Sequence, residues 1–266
     1  MVLKYLGFVF RIAPVLLHRF FRIKKYAKKK ELASIEKRYE EVRTLIQKIN
    51  HGLHLDVHVQ GLENLPKERC YLSMNHQSIL DPLVFIGECE KVTSFVAKVE
   101  LEKAPFVGYV MKAIDCEFMD RDDLRQSLQV MKRVRESFES EDKIWGIFPE
   151  GTRNKTLGKK KVEPVDLQEY KHGTFKIPLQ TGVPVVPVVI YGSWRVLKPF
   201  RSHHRRYPIE LHILPPIYKE EYENMNSTQL CEKVYDLSLR EMQKMKEENK
   251  KHMSELKRKK VAKTSS

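Results

Sequence analysis

A chain of 266 residues, 41% of them hydrophobic, is long enough for one large α/β domain and too apolar to be disordered throughout. Its net charge of +14 sits at the two ends: residues 1–43 carry 12 Lys/Arg against 4 Asp/Glu, and residues 240–266 carry 10 against 4, around a neutral middle. Four widely spaced cysteines (Cys70, Cys89, Cys116, Cys231) with no C-x-x-C pair exclude a metal knot or disulfide frame and suit reduced thiols in a cytoplasmic compartment.

Residues 1–22, "MVLKYLGFVFRIAPVLLHRFFR", are apolar but broken by Lys4, Arg11, Arg19 and Arg22, so they do not make a membrane span. No small-residue cleavage site follows. At about 100° per residue, Lys4, Arg11, His18 and Arg22 fall near one line with Arg19 beside it, opposite Leu, Phe, Val and Ile. A wide apolar face with a narrow basic stripe predicts a helix lying in a bilayer interface; a helix docked on its own domain would show the same face. Leu32, Ile35, Tyr39, Val42, Ile46 and Ile49 define a second amphipathic helix. The second helix is expected to pack against the first helix or the domain and could share the membrane contact, so that residues 1–50 form an amphipathic two-helix membrane-surface anchor, on the cytoplasmic face.

From Leu53 the pattern alternates short β-branched runs with helical periods, which predicts a single α/β domain around a largely buried mixed sheet over residues 51–248. Strands are expected at Leu53–Gln60, Cys70–Met74, Val92–Ala97, Ile114–Phe118, Ile144–Phe148, Val185–Tyr191 and Ile209–Leu214. Helices are expected at Pro82–Gly87, Leu101–Lys112, Asp122–Glu139, Gly173–Gln180 and Thr228–Glu248. Asn154–Lys171 reads as a surface loop, and residues 249–266 as a solvated basic tail. The uncharged stretch Ile177–Trp194 contains Pro178, Pro184 and Pro187, so it is a short helix, a turn and a buried strand, not a span.

Two strand ends carry chemistry. "NHQSILD" (Asn75 to Asp81) leads into Asp81-Pro82, a helix start with Asp81 as N-cap and Pro82 first in the helix. A strand-to-helix turn folds Asp81 back towards His76, so that the carboxylate holds one ring nitrogen and leaves the other as a general base. Taken alone, a plain N-cap and a turn histidine fit the same residues. "FPEGTRN" (Phe148 to Asn154) leaves a second buried strand and offers an Arg153 fork suited to phosphate and a Gly151 that lets a substrate approach. Turns at the carboxyl ends of strands are where α/β sheets build active sites.

"NHQSILD", "FMDR", "FPEGTR" and "GVPVVPV", in that order between Val57 and Leu214, resemble the motif blocks of the glycerolipid acyltransferases. The nearest resemblance is to the 1-acyl-glycerol-3-phosphate acyltransferases, which make phosphatidic acid. The resemblance implies that His76 deprotonates the acceptor hydroxyl and that Asp81 orients and stabilises its imidazolium. The hydroxyl would attack an acyl thioester directly, and the lack of a Gly-x-Ser-x-Gly elbow agrees with this. It further implies that Arg121, Glu150, Gly151, Thr152 and Arg153 hold the acceptor's glycerol phosphate, that Lys98 reaches the same phosphate, and that Asn75 and Ser78 shape the turn presenting His76. The acceptor would be lysophosphatidic acid, with glycerol 3-phosphate or another lysophospholipid as the alternative. The acyl donor would be acyl-CoA or acyl-carrier protein, with no cofactor.

The remaining histidines are read as non-ligands. In "LHLDVHV" they alternate with apolar residues as the wet face of a strand, and no Cys or acidic set completes a cage for His51, His54 and His58 or for His203 and His204. No metal site is therefore expected. The basic ends suit anionic membrane lipids; nothing resembles a DNA- or RNA-binding motif, so no nucleic-acid partner is expected.

Overall fold

The computed structural model describes residues 17–157, 159, 166–196 and 206–264. Seven strands form one mixed sheet: β1 (Leu55–Gln60), β2 (Cys70–Met74), β3 (Thr93–Lys98), β4 (Glu117–Met119), β5 (Ile144–Ile147), β6 (Val185–Tyr191) and β7 (Tyr207–Ile213). The order is β1-β7-β6-β2-β5-β3-β4. From β6 to β4 every neighbouring pair is parallel; β7 runs antiparallel to β6, and β1 parallel to β7. The carboxyl ends of β6, β2, β5, β3 and β4 consequently share one edge of the sheet.

Helices cover both faces, which explains why the inner strands are near-continuous apolar runs such as "VVPVVIY". Helix α1 (residues 17–28), α2 (Ile35–Gly52), α3 (Asp81–Glu88) and α4 (Val107–Ala113) accompany one face, with Leu72, Met74, Val186, Val188, Ile209 and Leu211 in its core. Helix α5 (Leu124–Ser140), α6 (Lys176–Thr181) and α7 (Ser227–Thr264) cover the other, over Tyr71, Trp145, Ile147 and Val185. Ser34 caps α2 by accepting from the Lys37 amide, and Asp123 caps α5 by accepting from the Gln126 amide at 3.0 Å. Val130, Val134 and Phe138, four apart, are the buried stripe of α5. Each fully buried side chain of this size stabilises by roughly 1.5–3 kcal/mol. Gly146 in β5 leaves room for the Phe95 ring, where an added Cβ would lie 2.3 Å from Cε1.

Several expected boundaries move. The helix over Leu101–Lys112 is interrupted at Ala104-Pro105: a 3₁₀ turn covers Val99–Lys103 and α4 starts at Val107, because the residue before proline is driven to extended backbone (Ala104 ψ 127). The strand expected from Ile114 begins at Glu117, after Asp115 turns the chain at φ 52 while its carboxylate takes both arms of buried Arg38. Leu32 lies in a short 3₁₀ turn, Lys30–Leu32, ahead of α2. Helix α7 does not stop at Glu248 but continues to Thr264, since Asn249 is buried and donates to the Pro208 carbonyl at 3.0 Å and to Glu210 at 2.7 Å.

Of the predicted N-terminal helix, Lys4 and Arg11 lie outside the described residues. Arg19 and Arg22 both pair with Glu41 of α2, at 2.7 and 2.5 Å, and Ile23 is buried, so the described part of the helix docks on the domain. It still turns Leu17 and Phe21 outward, and Phe20 stacks on Phe106 at 5.0 Å. Among the described residues no helix is long and apolar enough to cross a membrane.

Candidate active site

The turn after β2 is built around one carboxylate. Asp81 is fully buried, and its Oδ2 accepts from the amides of Gln77 (2.7 Å) and Ser78 (2.8 Å) and faces His76 Nδ1 at 2.8 Å. Its Oδ1 accepts from Ser193 Oγ at 2.5 Å. Asp81 is therefore the first residue of α3 and not its N-cap, a place taken by Leu80. The carboxylate is directed back into the turn because four donors converge on it there. As a carboxylate can only accept, His76 Nδ1 carries the proton and Nε2 keeps the lone pair, the arrangement a general base needs.

The imidazole is held on its other sides too. Its ring stacks on Phe148 at 4.2 Å, and Phe148 stacks on Phe95, the ring that Gly146 accommodates. Its carbonyl accepts from the Asn154 amide at 2.7 Å, and its own amide donates to Glu150 Oε1 at 2.8 Å. Asn75 ties the end of β2 to β6, donating to the Ile190 carbonyl (3.1 Å) and accepting from the Ile190 amide (2.8 Å). Ser78 Oγ accepts from the Leu80 amide at 3.3 Å. Both residues thus lie where they shape the turn.

The cations occupy the same sheet edge. Lys98 ends β3, and Arg121 and Arg153 follow the carboxyl ends of β4 and β5, next to β2 in the order β2-β5-β3-β4. At about 4.8 Å per strand, this row extends roughly 14 Å sideways from the end of β2. Arg121 and Arg153 are exposed and enter no ion pair among the described residues, whereas Lys98 pairs with Glu100. Gly151 adopts φ 68, which a side chain would strain. Thr152 offers its carbonyl to Gln168 Nε2 at 3.0 Å.

Glu150 does not stand among the cations. Its carboxylate is buried, with Oε1 on the His76 amide and Oε2 accepting from Gln168 Nε2 at 2.7 Å. Burial, together with the nearby Asp81 charge, pushes it up to about 7. Both oxygens of Glu150 are thus engaged by the His76 amide and Gln168 in the histidine turn, where the resemblance had assigned the residue to phosphate holding. Ser193, Gln168 and Gln77, whose Oε1 accepts from the Gly192 amide at 2.9 Å, were not singled out from sequence. Ser193 and Gln168 come from positions remote in the chain with no local motif to mark them, and Gln77, although inside the His76 turn, has its partner 115 residues away.

A histidine–aspartate pair at the carboxyl edge of the parallel strands, on the same edge as Arg121 and Arg153, is an arrangement suited to activating a hydroxyl near an anion. The sequence matches the acyltransferase family over residues 56–191, just over half of the chain, and the protein belongs to that family. It is 30% identical over 212 residues to a probable 1-acyl-sn-glycerol-3-phosphate acyltransferase of Mycoplasma pneumoniae, covering 75% of this chain and 76% of that protein. It is 29% identical to the 1-acyl-sn-glycerol-3-phosphate acyltransferase of Saccharomyces cerevisiae, covering 69% of this chain but only 59% of the yeast protein. The crystal structure of the 1-acyl-sn-glycerophosphate (LPA) acyltransferase PlsC from Thermotoga maritima superposes with a TM-score of 0.68 at 25% identity, over 90% of this chain and 93% of that one.

Proposed function

We propose that the protein transfers a fatty acyl chain from a thioester, acyl-CoA or acyl-carrier protein, to the free hydroxyl of lysophosphatidic acid, giving phosphatidic acid. The observation that carries this reading is the His76–Asp81 pair, with Nδ1 committed to the carboxylate at 2.8 Å and Nε2 left for the acceptor. His76 Nε2 takes the hydroxyl proton as the oxygen attacks the thioester carbonyl. A C–O bond forms, and the negative charge moves to the carbonyl oxygen of a tetrahedral intermediate. When that intermediate collapses, the C–S bond breaks and the imidazolium returns the proton to the leaving thiolate. Asp81 stabilises the imidazolium between the two steps, while Ser193 and the turn amides keep the carboxylate in place.

Arg153 and Arg121 bind the acceptor phosphate, with Lys98 joining once it leaves Glu100; Gly151 and Thr152 shape the backbone they approach from. The protein works on one leaflet of a membrane carrying anionic lipids, at its cytoplasmic face, with the segment ahead of α2 as the anchor, since the apolar face of α2 (Tyr39, Val42, Leu45, Ile46) is spent on the core. Leu17 and Phe21, outward on α1, support that placement. The test is an acyl-transfer assay crossing acyl-CoA and acyl-carrier protein with lysophosphatidic acid, glycerol 3-phosphate and lysophosphatidylcholine. Product with lysophosphatidic acid alone is expected. Equal turnover of the choline lipid, which lacks a dianionic phosphate, would refute the acceptor assignment.

A further inference from the structure

Strands β1 and β7 are two-faced. Val57, Val59, Ile209 and Leu211 enter the core beneath α2 and α3, whereas the alternate residues Asp56, His58, Gln60, Glu210 and His212 face the other way. That polar side is only partly the wet surface expected from sequence: Gln60 is exposed and His58 about one-third exposed, but Glu210 and His212 are buried. The second half of α7 lies over it and brings Glu241, Glu248, Asn249 and His252 onto the strands.

The result is a set of groups around buried Glu210 with unused hydrogen-bonding capacity. Glu210 is fully buried; its Oε1 accepts from Asn249 at 2.7 Å and faces His252 Nδ1 at 3.0 Å, but Oε2 has no hydrogen-bond partner among the described residues. His58 Nε2 is also buried without a hydrogen bond, its nearest carboxylate oxygen being Asp56 Oδ2 at 3.5 Å in poor alignment. The His58 and His252 rings stack at 3.7 Å and 11°. One donor atom from each of His58, Glu210 and His252 lies within 4.8 Å of the others. Next to them His212, itself buried, lies between Glu241 at 2.8 Å and Glu248 at 3.3 Å.

We propose that His58, Glu210 and His252 bind one divalent transition-metal ion of the zinc class, which fastens the far end of α7 to the β1–β7 edge. Two imidazoles and one carboxylate favour zinc and its neighbours over calcium or magnesium, which take oxygen ligands. Ligands at about 2.1 Å from a tetrahedral ion stand about 3.4 Å apart, so the set closes by roughly an ångström, with the rings tilting about the soft χ2 torsion. The unused Oε2 of Glu210 and Nε2 of His58 supply two of the bonds. His58 and His252 are each about one-third exposed, which gives the ion a way in and leaves its fourth position to water. Glu241 and Glu248 add negative charge beside it.

The test uses the full-length protein stripped with a chelator and titrated with Zn²⁺ by calorimetry, with thermal melting in parallel. One Zn²⁺ per chain and a rise in Tm are expected. His58→Ala and His252→Ala should each weaken binding by at least about 10–100-fold, the range already seen for residues that only support ligands. They should also abolish the Tm rise. Loading Co²⁺ into the unaltered protein provides a reading that needs no variant: visible absorption of a four-coordinate site is expected. A double variant His203→Ala/His204→Ala should bind Zn²⁺ as before. No saturable binding, a Co²⁺ spectrum like that of the ion in water, or binding lost with His203 and His204 but not with His58 and His252, would each overturn the proposal.

Discussion

Replacing Asp81 by Asn separates the charge of this residue from its geometry. The amide oxygen can keep the Oδ2 position, accepting from the Gln77 and Ser78 amides and from His76 Nδ1, while the amide nitrogen faces Ser193 Oγ, which can turn to accept. The fold and the His76 tautomer are therefore retained, and only the negative charge is lost. With Nδ1 and Oδ2 at 2.8 Å, the charge centres of imidazolium and carboxylate stand about 4 Å apart. At an effective dielectric of about 20 their attraction is about 4 kcal/mol, or roughly 10³ in rate. That attraction exists only once the histidine has taken the proton, so kcat should fall by about that factor while the KM values for acceptor and donor stay within about twofold. Steady-state phosphatidic acid formation under saturating and limiting acceptor, with circular dichroism to confirm folding, measures this. A folded variant within tenfold of the original kcat would refute the reasoning, as would a loss confined to KM.

Arg153→Ala should raise the acceptor KM by about tenfold or more with little change in kcat, and Arg153→Lys should restore only part of it, because lysine lacks the bidentate fork; a change confined to the donor KM would place the phosphate elsewhere. Glu150, raised to about 7 when folded from 4.5 when unfolded, leaves the folded state most favoured below 4.5. That advantage is lost as pH rises through about 7, by up to roughly 3 kcal/mol. The Tm of Glu150→Gln relative to the unaltered protein should accordingly climb between pH 4.5 and 7 and level off above; a constant difference would contradict this. Deleting residues 1–16 leaves the Ile23 and Glu41 contacts of α1 intact and should reduce flotation with anionic vesicles, high salt removing only part of the binding of the intact chain; equal flotation would place the anchor on other residues.

The approach of Asp81 to His76 was legible because it is local: the two are five residues apart, and a strand before them with Asp-Pro after them leaves few ways to fold. The same argument misplaced Asp81 as an N-cap, since its true partners include Ser193, 112 positions further on. Glu150 shares a motif with Arg153, yet its carboxylate turns to the His76 amide and Gln168, with Gly151 at φ 68 between the two residues. Strand cores such as Cys70–Met74 and Val185–Tyr191 matched to the residue, where apolar runs end at turn residues. Boundaries failed where a single contact decides them: Pro105 within an apolar period, Asp115 with Arg38, and Asn249 with Glu210. The last also hid the character of the β1–β7 edge, for only a helix that continues past Glu248 can bring Asn249 and His252 onto buried Glu210.

The central claim is that His76 is the base for a direct transfer from thioester to acceptor, and one comparison tests it most directly. Initial rates of phosphatidic acid formation from lysophosphatidic acid and acyl thioester are measured for the unaltered protein and for folded His76→Ala, at equal amounts bound to vesicles. Loss of a general base costs about 10²–10⁴ in rate, so the expected result is robust turnover in the first and a decrease of that size in the second. A membrane-bound, folded His76→Ala that still forms phosphatidic acid at near-normal rate would contradict the account.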